Sequence, residues 1–285
     1  MIKSIKYFFE ALIIYSFYLI AKLLGLSLSR KFFAFVFQKI GPMIRSNTVA
    51  YKNLSKFSDS LNDQKKAKII SNMWSNYGMT FIEYIFLKNF KKKRLHIDIE
   101  GEEILEEISN NDKPVIFVSG HFANFELMSM EITRKKIDLA TIYRPLNNFF
   151  LNPFMEYLRK KYVCKHQIKK GLPGVKEAIE YIKKRYSIAL MIDQRVSEGE
   201  QVKFFNSNAL TTTLPGQLAL KYNLNLVPIF IERKNDNSFK MKVFNPISHA
   251  NFKNKFEITE KLNQTIEEMI VKNPNQWIWT HDRWK

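Results

Sequence analysis

Cysteine is almost absent from this chain: Cys164 is the only one in 285 residues. A lone thiol excludes an intrachain disulfide, a paired CxxC redox centre and a cysteine-rich zinc site. Glycine and proline are scarce too, at nine each, which excludes collagen-like and low-complexity chains. No GxSxG elbow, GxxxxGK[ST] loop or HExxH pair occurs, and the five histidines are scattered. A serine hydrolase, a P-loop enzyme and a zincin therefore lack their marks, and neither a metal nor a cofactor is expected. Acidic residues are outnumbered, 27 against 45 Lys and Arg, which leaves a formal net charge of +18.

What is present is a globular composition, 46% hydrophobic and 25% charged, with 24 Phe, 12 Tyr and 4 Trp. Such a chain buries a full core as one large domain or two small ones. The positive charge fits three partner classes: nucleic acid, an anionic membrane surface, or an acidic protein or substrate.

The N-terminus favours the membrane. Residues Ala11 to Ala21 carry no charge, and the apolar stretch from Tyr7 to Leu28 is interrupted only by Glu10 and Lys22. Spanning a bilayer takes ~20 mostly apolar residues, and Lys22 can snorkel. A tilted span and a helix lying in the interface both satisfy this pattern. Residues 1–28 are read as an N-terminal membrane anchor helix and residues 29–285 as the remaining domain. Ser29 to Arg45 mixes Phe32, Phe33, Phe35 and Phe37 with Arg30, Lys31 and Lys39, which suits an interfacial helix. Gly41-Pro42 is expected to break it. Asn47 to Leu87 reads as helical, and the basic run Lys88 to Arg94 as a solvated turn or a contact for anionic lipid.

From Leu95 onward strands alternate with helices. Strands are expected at His96–Glu100, Val115–Val118, Asp138–Tyr143, Ser187–Ile192, Leu226–Ile231 and Phe239–Phe244, with a short extended piece at Gln201–Phe205. Helices are expected at Leu214–Tyr222 and Phe252–Lys272. This alternation predicts an α/β fold with a mainly parallel sheet flanked by helices.

The chemistry concentrates in Pro114–Glu131. The apolar run ends at Ser119-Gly120, and His121, Asn124 and Glu126 follow. His121 and Glu126 would lie about 140° apart on one helix, because each residue turns ~100°. They meet better if His121 precedes the helix and Glu126 lies in its second turn. A carboxylate on one ring nitrogen fixes the tautomer and leaves the other nitrogen as a base. The alternative is a histidine that caps the helix. Arg144 and Asp193 follow the next two core strands as His121 follows the first, so the three are expected at one strand edge, where α/β sheets bind ligands. Arg144 suits an oxyanion or a phosphate, and Asp193 would take part in that site by orienting Arg144. A structural ion pair of the two is the other reading.

Several segments together resemble the late (secondary) acyltransferases of lipid A biosynthesis, the lauroyl and myristoyl transferases of Gram-negative bacteria. They are FFEALIIYSFYLIAKLLG, RSNTVAYKNL, MWSNYGMTFIEY, VIFVSGHFANFELM, YRPLNN, IDQRVSEGEQVKFFNSNALTTTLPGQLALKYNLNLVPIF and QWIWTHDRWK. The resemblance implies a glycerolipid-acyltransferase-like core behind an N-terminal membrane-associated helix. It implies transfer of a fatty acyl chain from acyl carrier protein to a hydroxyl of a hydroxyacyl chain on a Kdo-bearing lipid A precursor. It further implies His121 as general base paired with Glu126, support from Asn124, and a place on the inner membrane with the site facing the cytoplasm. An acidic carrier protein and a phosphorylated acceptor account for the +18 charge without nucleic acid. Two alternatives are an acyltransferase acting on another glycolipid or a lysophospholipid, and a basic membrane- or nucleic-acid-binding protein, although no nucleic-acid motif is present.

Overall fold

The computed structural model describes residues 2–45, 47–93, 96–111 and 113–285; Arg94, at the end of the basic run, and Asp112, before the first core strand, lie outside them. Helix α1 spans Ile2–Ile44 and is bent at Gly25, whose φ of 72° is open to glycine at little cost. The Ser29 hydroxyl closes the bend by donating to the Ala21 carbonyl at 3.0 Å. The expected break at Gly41-Pro42 is absent: the helix continues past it, and the Arg45 amide still bonds the Gly41 carbonyl at 3.0 Å. Packing overrides the local breaker, since Phe37 lies against Phe81 and Tyr77 of α3 (Asp63–Glu83). One face of α1 is buried through Ala11, Tyr18, Ala21 and Phe33, while Ile5, Phe8, Leu12, Leu19 and Leu23 stand exposed. The helix is long and apolar enough to cross a membrane.

Helices α2 (Thr48–Phe57) and α4 (Leu87–Lys92) complete the helical N-terminal third. The α/β part follows as β1 (Ile97–Glu100), α5 (Glu102–Asn111), β2 (Ile116–Ser119), α6 (Glu126–Arg134), β3 (Leu139–Tyr143), α7 (Asn152–Leu158), β4 (His166–Lys169), α8 (Leu172–Lys183) and β5 (Ser187–Met191). It continues through β6 (Glu200–Phe204), β7 (Ser207–Thr211), α9 (Leu214–Tyr222), β8 (Leu226–Arg233), β9 (Phe239–Val243) and α10 (Lys255–Lys272). Seven strands form one sheet in the order β1-β9-β8-β2-β5-β3-β4, and β6 and β7 form a separate antiparallel hairpin. The five strands from β8 to β4 run parallel, and only the β8–β9 pairing is antiparallel. The α/β expectation holds.

The six expected strands are all present. β4 was not expected: HQIK is short, polar and at the sheet edge, where only one of its four residues is buried, so it carries no run of apolar residues to announce it. The central strand β2 is buried along its whole length, with Phe117 wholly enclosed; replacing such a ring by Ala costs roughly 3–5 kcal/mol. Register sets the site. Ser119 of β2 lies level with Met191 of β5, and the Ile192 amide donates to the Ser119 carbonyl at 2.9 Å. The chain therefore leaves both strands side by side, at Gly120-His121 and at Asp193.

Candidate active site

His121 sits in the loop between β2 and α6, ahead of the helix as expected. Glu126 is the first residue of α6 rather than part of its second turn. The His121 ring is one-fifth exposed, at 21%. Its Nδ1 lies 2.8 Å from Oδ1 of Asp193, and its backbone amide donates to Oδ2 at 2.9 Å. The Trp277 indole N–H donates to the same Oδ2 at 2.8 Å. Gly120 makes the approach possible, since a Cβ there would stand 2.7 Å from the Phe122 ring and 3.2 Å from the Asp193 side chain. Burial alone would raise the Asp193 carboxyl; the His121 ring and amide and the Trp277 N–H outweigh it and bring it down to about 2. An ionised Asp193 fixes the proton on Nδ1, which leaves Nε2 as the basic nitrogen.

The carboxylate bonded to the His121 ring is therefore Asp193, and Glu126, expected in that place, is bonded elsewhere. Asp193 was expected beside Arg144 in an oxyanion or phosphate site; its carboxylate is bonded instead to His121 and Trp277, and no bond joins it to Arg144. Glu126 faces the other way. It accepts from the Tyr84 hydroxyl at 2.7 Å and from Arg159 Nε at 2.8 Å and Nη2 at 2.6 Å. Burial opposes the Arg159 charge, but Glu126 and Tyr84 outweigh it and hold the guanidinium above its ordinary pKa. Arg159 also lies over the rings of Tyr84 and Tyr143, at 5.8 and 5.6 Å.

Asn124 points away from His121 and donates to Glu83 Oε2 at 2.9 Å. Glu83 is wholly buried and takes Arg30 Nε at 2.6 Å and both terminal nitrogens of Arg233. Burial would raise the Glu83 carboxyl, yet the two guanidinium groups keep it below its usual range. Thr80 donates to the Ala123 carbonyl at 2.9 Å, and the Ala123 amide donates to the Gln276 carbonyl at 3.2 Å. These bonds hold Ala123 at φ 42°, a conformation that non-glycine residues rarely adopt. The His121 loop is thus pinned from α1, α3 and the C-terminal segment together.

Two cavities meet at this loop. The smaller, about 230 Å³, is lined by His121, Arg144, Arg159, Lys170, Arg195 and His281 among others. The larger, about 600 Å³, runs beside α1 along Ile14, Tyr18, Phe81, Leu151 and Met155. His121, Phe125, Arg159 and Gln194 line both. Arg144 is exposed at the rim of the first cavity, with no hydrogen bond or ion pair to another described residue. His281 accepts from the Arg195 amide at 2.9 Å, and burial pushes it down to about 4, so it is neutral near pH 7. Among the described residues no cluster of His, Cys, Asp or Glu is arranged to hold a metal ion.

The positions of His121, Arg144 and Asp193 at strand ends were readable from sequence. Arg159 was not: it stands in a basic run, RKKYV, of the kind that is usually a solvated face. Trp277 and His281 lie in the QWIWTHDRWK segment singled out by resemblance alone.

The family model described as bacterial lipid A biosynthesis acyltransferase matches residues 2–285. Among curated relatives, lipid A biosynthesis acyltransferase 2 of Shigella flexneri is 22% identical over 80% of this chain and 74% of its own. The lipid A biosynthesis lauroyltransferase of Escherichia coli K12 is 22% identical over 85% and 80%. The palmitoleoyltransferase of the same strain is 23% identical over 88% and 84%.

Proposed function

The chain belongs to the bacterial lipid A biosynthesis acyltransferases, enzymes that transfer acyl groups, and from that premise we propose that it carries a fatty acyl chain from acyl carrier protein to a hydroxyl on an acyl chain of a Kdo-bearing lipid A precursor. The observation that carries this reading is the free Nε2 of a histidine whose Nδ1 is fixed by Asp193, placed where two cavities meet.

Nε2 takes the proton of the acceptor hydroxyl as its oxygen attacks the thioester carbonyl carbon. The new C–O bond forms, the tetrahedral oxyanion collapses, and the carrier thiolate leaves with the proton returned by the imidazolium. Asp193 stabilises that imidazolium. Arg159, facing both cavities, is the cation offered to the developing oxyanion. No enzyme nucleophile is needed, in keeping with the missing elbow motif. The larger, apolar cavity suits a fatty chain, since sites of ~300–1,000 Å³ lined by apolar side chains are typical of ligand pockets. Arg144 and Lys170 at the rim of the smaller cavity suit phosphate and the acidic carrier protein. The protein would work at the inner membrane, with α1 in contact with lipid and the site facing the cytoplasm.

The test is purified protein with acyl carrier protein charged with lauroyl or myristoyl groups and a Kdo-bearing tetraacyl precursor, read by mass spectrometry. One added acyl group supports the proposal. Transfer only to lysophospholipid, or only from coenzyme A, contradicts it.

A further inference from the structure

The exposed apolar face of α1 does not end with α1. The segment after β3 presents Leu146, Phe149 and Phe150, which are 40%, 53% and 38% exposed. The rings are packed onto the helix: Phe149 against Tyr7 at 5.9 Å and Phe150 against Phe8 at 5.7 Å, with 4.4 Å between Phe149 and Phe150. Together they extend the face made by Ile5, Phe8, Phe9 and Leu12.

Part of the segment's backbone is bonded to its own side chains and to α1. The Leu146 amide donates to the Asn152 side chain at 2.8 Å, and the Phe150 amide to the Asn148 side chain at 3.0 Å. The Phe150 carbonyl accepts from the Tyr15 hydroxyl at 2.9 Å. The Asn148 carbonyl accepts from the amides of Leu151 and Asn152, and its side chain donates to the Tyr7 carbonyl at 2.8 Å. Such bonds lower the cost of placing non-helical backbone near headgroups and hydrocarbon. Leu146, Phe149 and Phe150 point outward while Asn148 is buried. Exposed Arg144, and Lys3 and Lys6 on α1, flank the patch where headgroup phosphates would lie.

We propose that residues 146–150 are a second membrane-seating element, inserted with the outer face of α1 into the headgroup and upper acyl region of a phospholipid bilayer. Leu146 and the neighbouring Asn147 and Asn148 also line the larger cavity. The same contact therefore sets the mouth of that cavity against lipid, and an acceptor chain enters without crossing water. The inference rests on the reading of α1 as a membrane-facing helix.

Its test places single cysteines at Leu12→Cys, Phe149→Cys and Lys184→Cys in a Cys164→Ala background. Lys184 is exposed and directly follows α8, three residues before β5, so it lies at the N-terminal ends of the parallel strands whereas residues 146–150 follow the C-terminal end of β3. Each full-length protein carries an environment-sensitive nitrobenzoxadiazole label, keeps its acyl transfer, and is bound to phosphatidylethanolamine–phosphatidylglycerol vesicles bearing doxyl-labelled lipid. Quenching several-fold stronger at 12 and 149 than at 184 supports the proposal. Quenching at 12 with none at 149 overturns it while the membrane reading of α1 stands. Quenching at neither overturns both. A label at 149 that is shielded from water yet unquenched marks a contact with a second copy and overturns the lipid assignment, as does equal quenching at all three sites.

Discussion

Asp193 holds His121 at two points, with one carboxylate oxygen 2.8 Å from the ring Nδ1 and the other accepting the backbone amide of the same residue at 2.9 Å. A single buried side chain thereby sets both the tautomer of the ring and the path of the chain that carries it. Replacing the charge while keeping the shape separates these roles. Asp193→Asn is expected to lower kcat by about 10³–10⁴-fold, as the loss of an orienting carboxylate does in related acid–base sites, with KM for the lipid acceptor changed little. Steady-state kinetics of the purified variant check this.

Glu126 is paired with Arg159, and in the proposed mechanism it acts through that cation. Breaking one partner of a buried pair leaves the other charge uncompensated, at roughly 3–5 kcal/mol, so Glu126→Gln and Arg159→Met should each unfold at lower denaturant and transfer more slowly. The double variant should be no worse than either single one. A double-mutant cycle in urea measures the coupling, which is expected between residues 126 and 159 and not between 126 and 193.

The loop that carries His121 depends on a charge it does not contain. Glu83→Ala strands Arg30 and Arg233 in the interior and should cost roughly 3–5 kcal/mol of stability. Asn124→Ala removes one of several loop contacts, the Thr80 and Gln276 bonds remaining, and should cost about 1–2 kcal/mol with a several-fold loss of kcat. Thermal unfolding together with kinetics distinguishes the two variants.

Acid should weaken the fold in two windows. His281 is lowered to about 4, so the unfolded chain binds its proton first, and stability present above ~6.5 is lost as pH falls toward 4. Asp193 is lowered to about 2, so stability present above ~3.9 is lost as pH falls toward 2, on the order of 2–3 kcal/mol. His281→Gln should flatten the first window and Asp193→Asn the second, in urea titrations at successive pH values.

Much of the frame was legible because it is written in local pattern. VIFV followed by Ser-Gly-His reads as a strand ending at a polar residue, and the structure places His121 there, ahead of α6. Chain order does not reveal strand order. Asp193 is 72 residues from His121 in sequence, and it reaches the ring only because β5 pairs with β2 while β3 lies one strand further out. Glu126 looked like the orienter because it is near in sequence, but the turn through Phe122–Phe125 aims its carboxylate at Arg159. Of the β6–β7 hairpin only the extended piece at Gln201–Phe205 is legible in sequence, since Phe205 makes the turn at φ 52° without glycine. Arg233, the buried partner of Glu83, stood in an expected strand's shadow with nothing in its neighbours to mark it.

The account stands on His121 acting as the base that takes the acceptor proton. The most direct measurement is the rate of acyl transfer by His121→Ala from charged acyl carrier protein to the Kdo-bearing precursor, with unfolding followed on the same preparation. The expected result is a fall of at least about 10³-fold, within the range that general-base removal produces, in a protein that still unfolds cooperatively. Near wild-type turnover by a folded His121→Ala protein would contradict it.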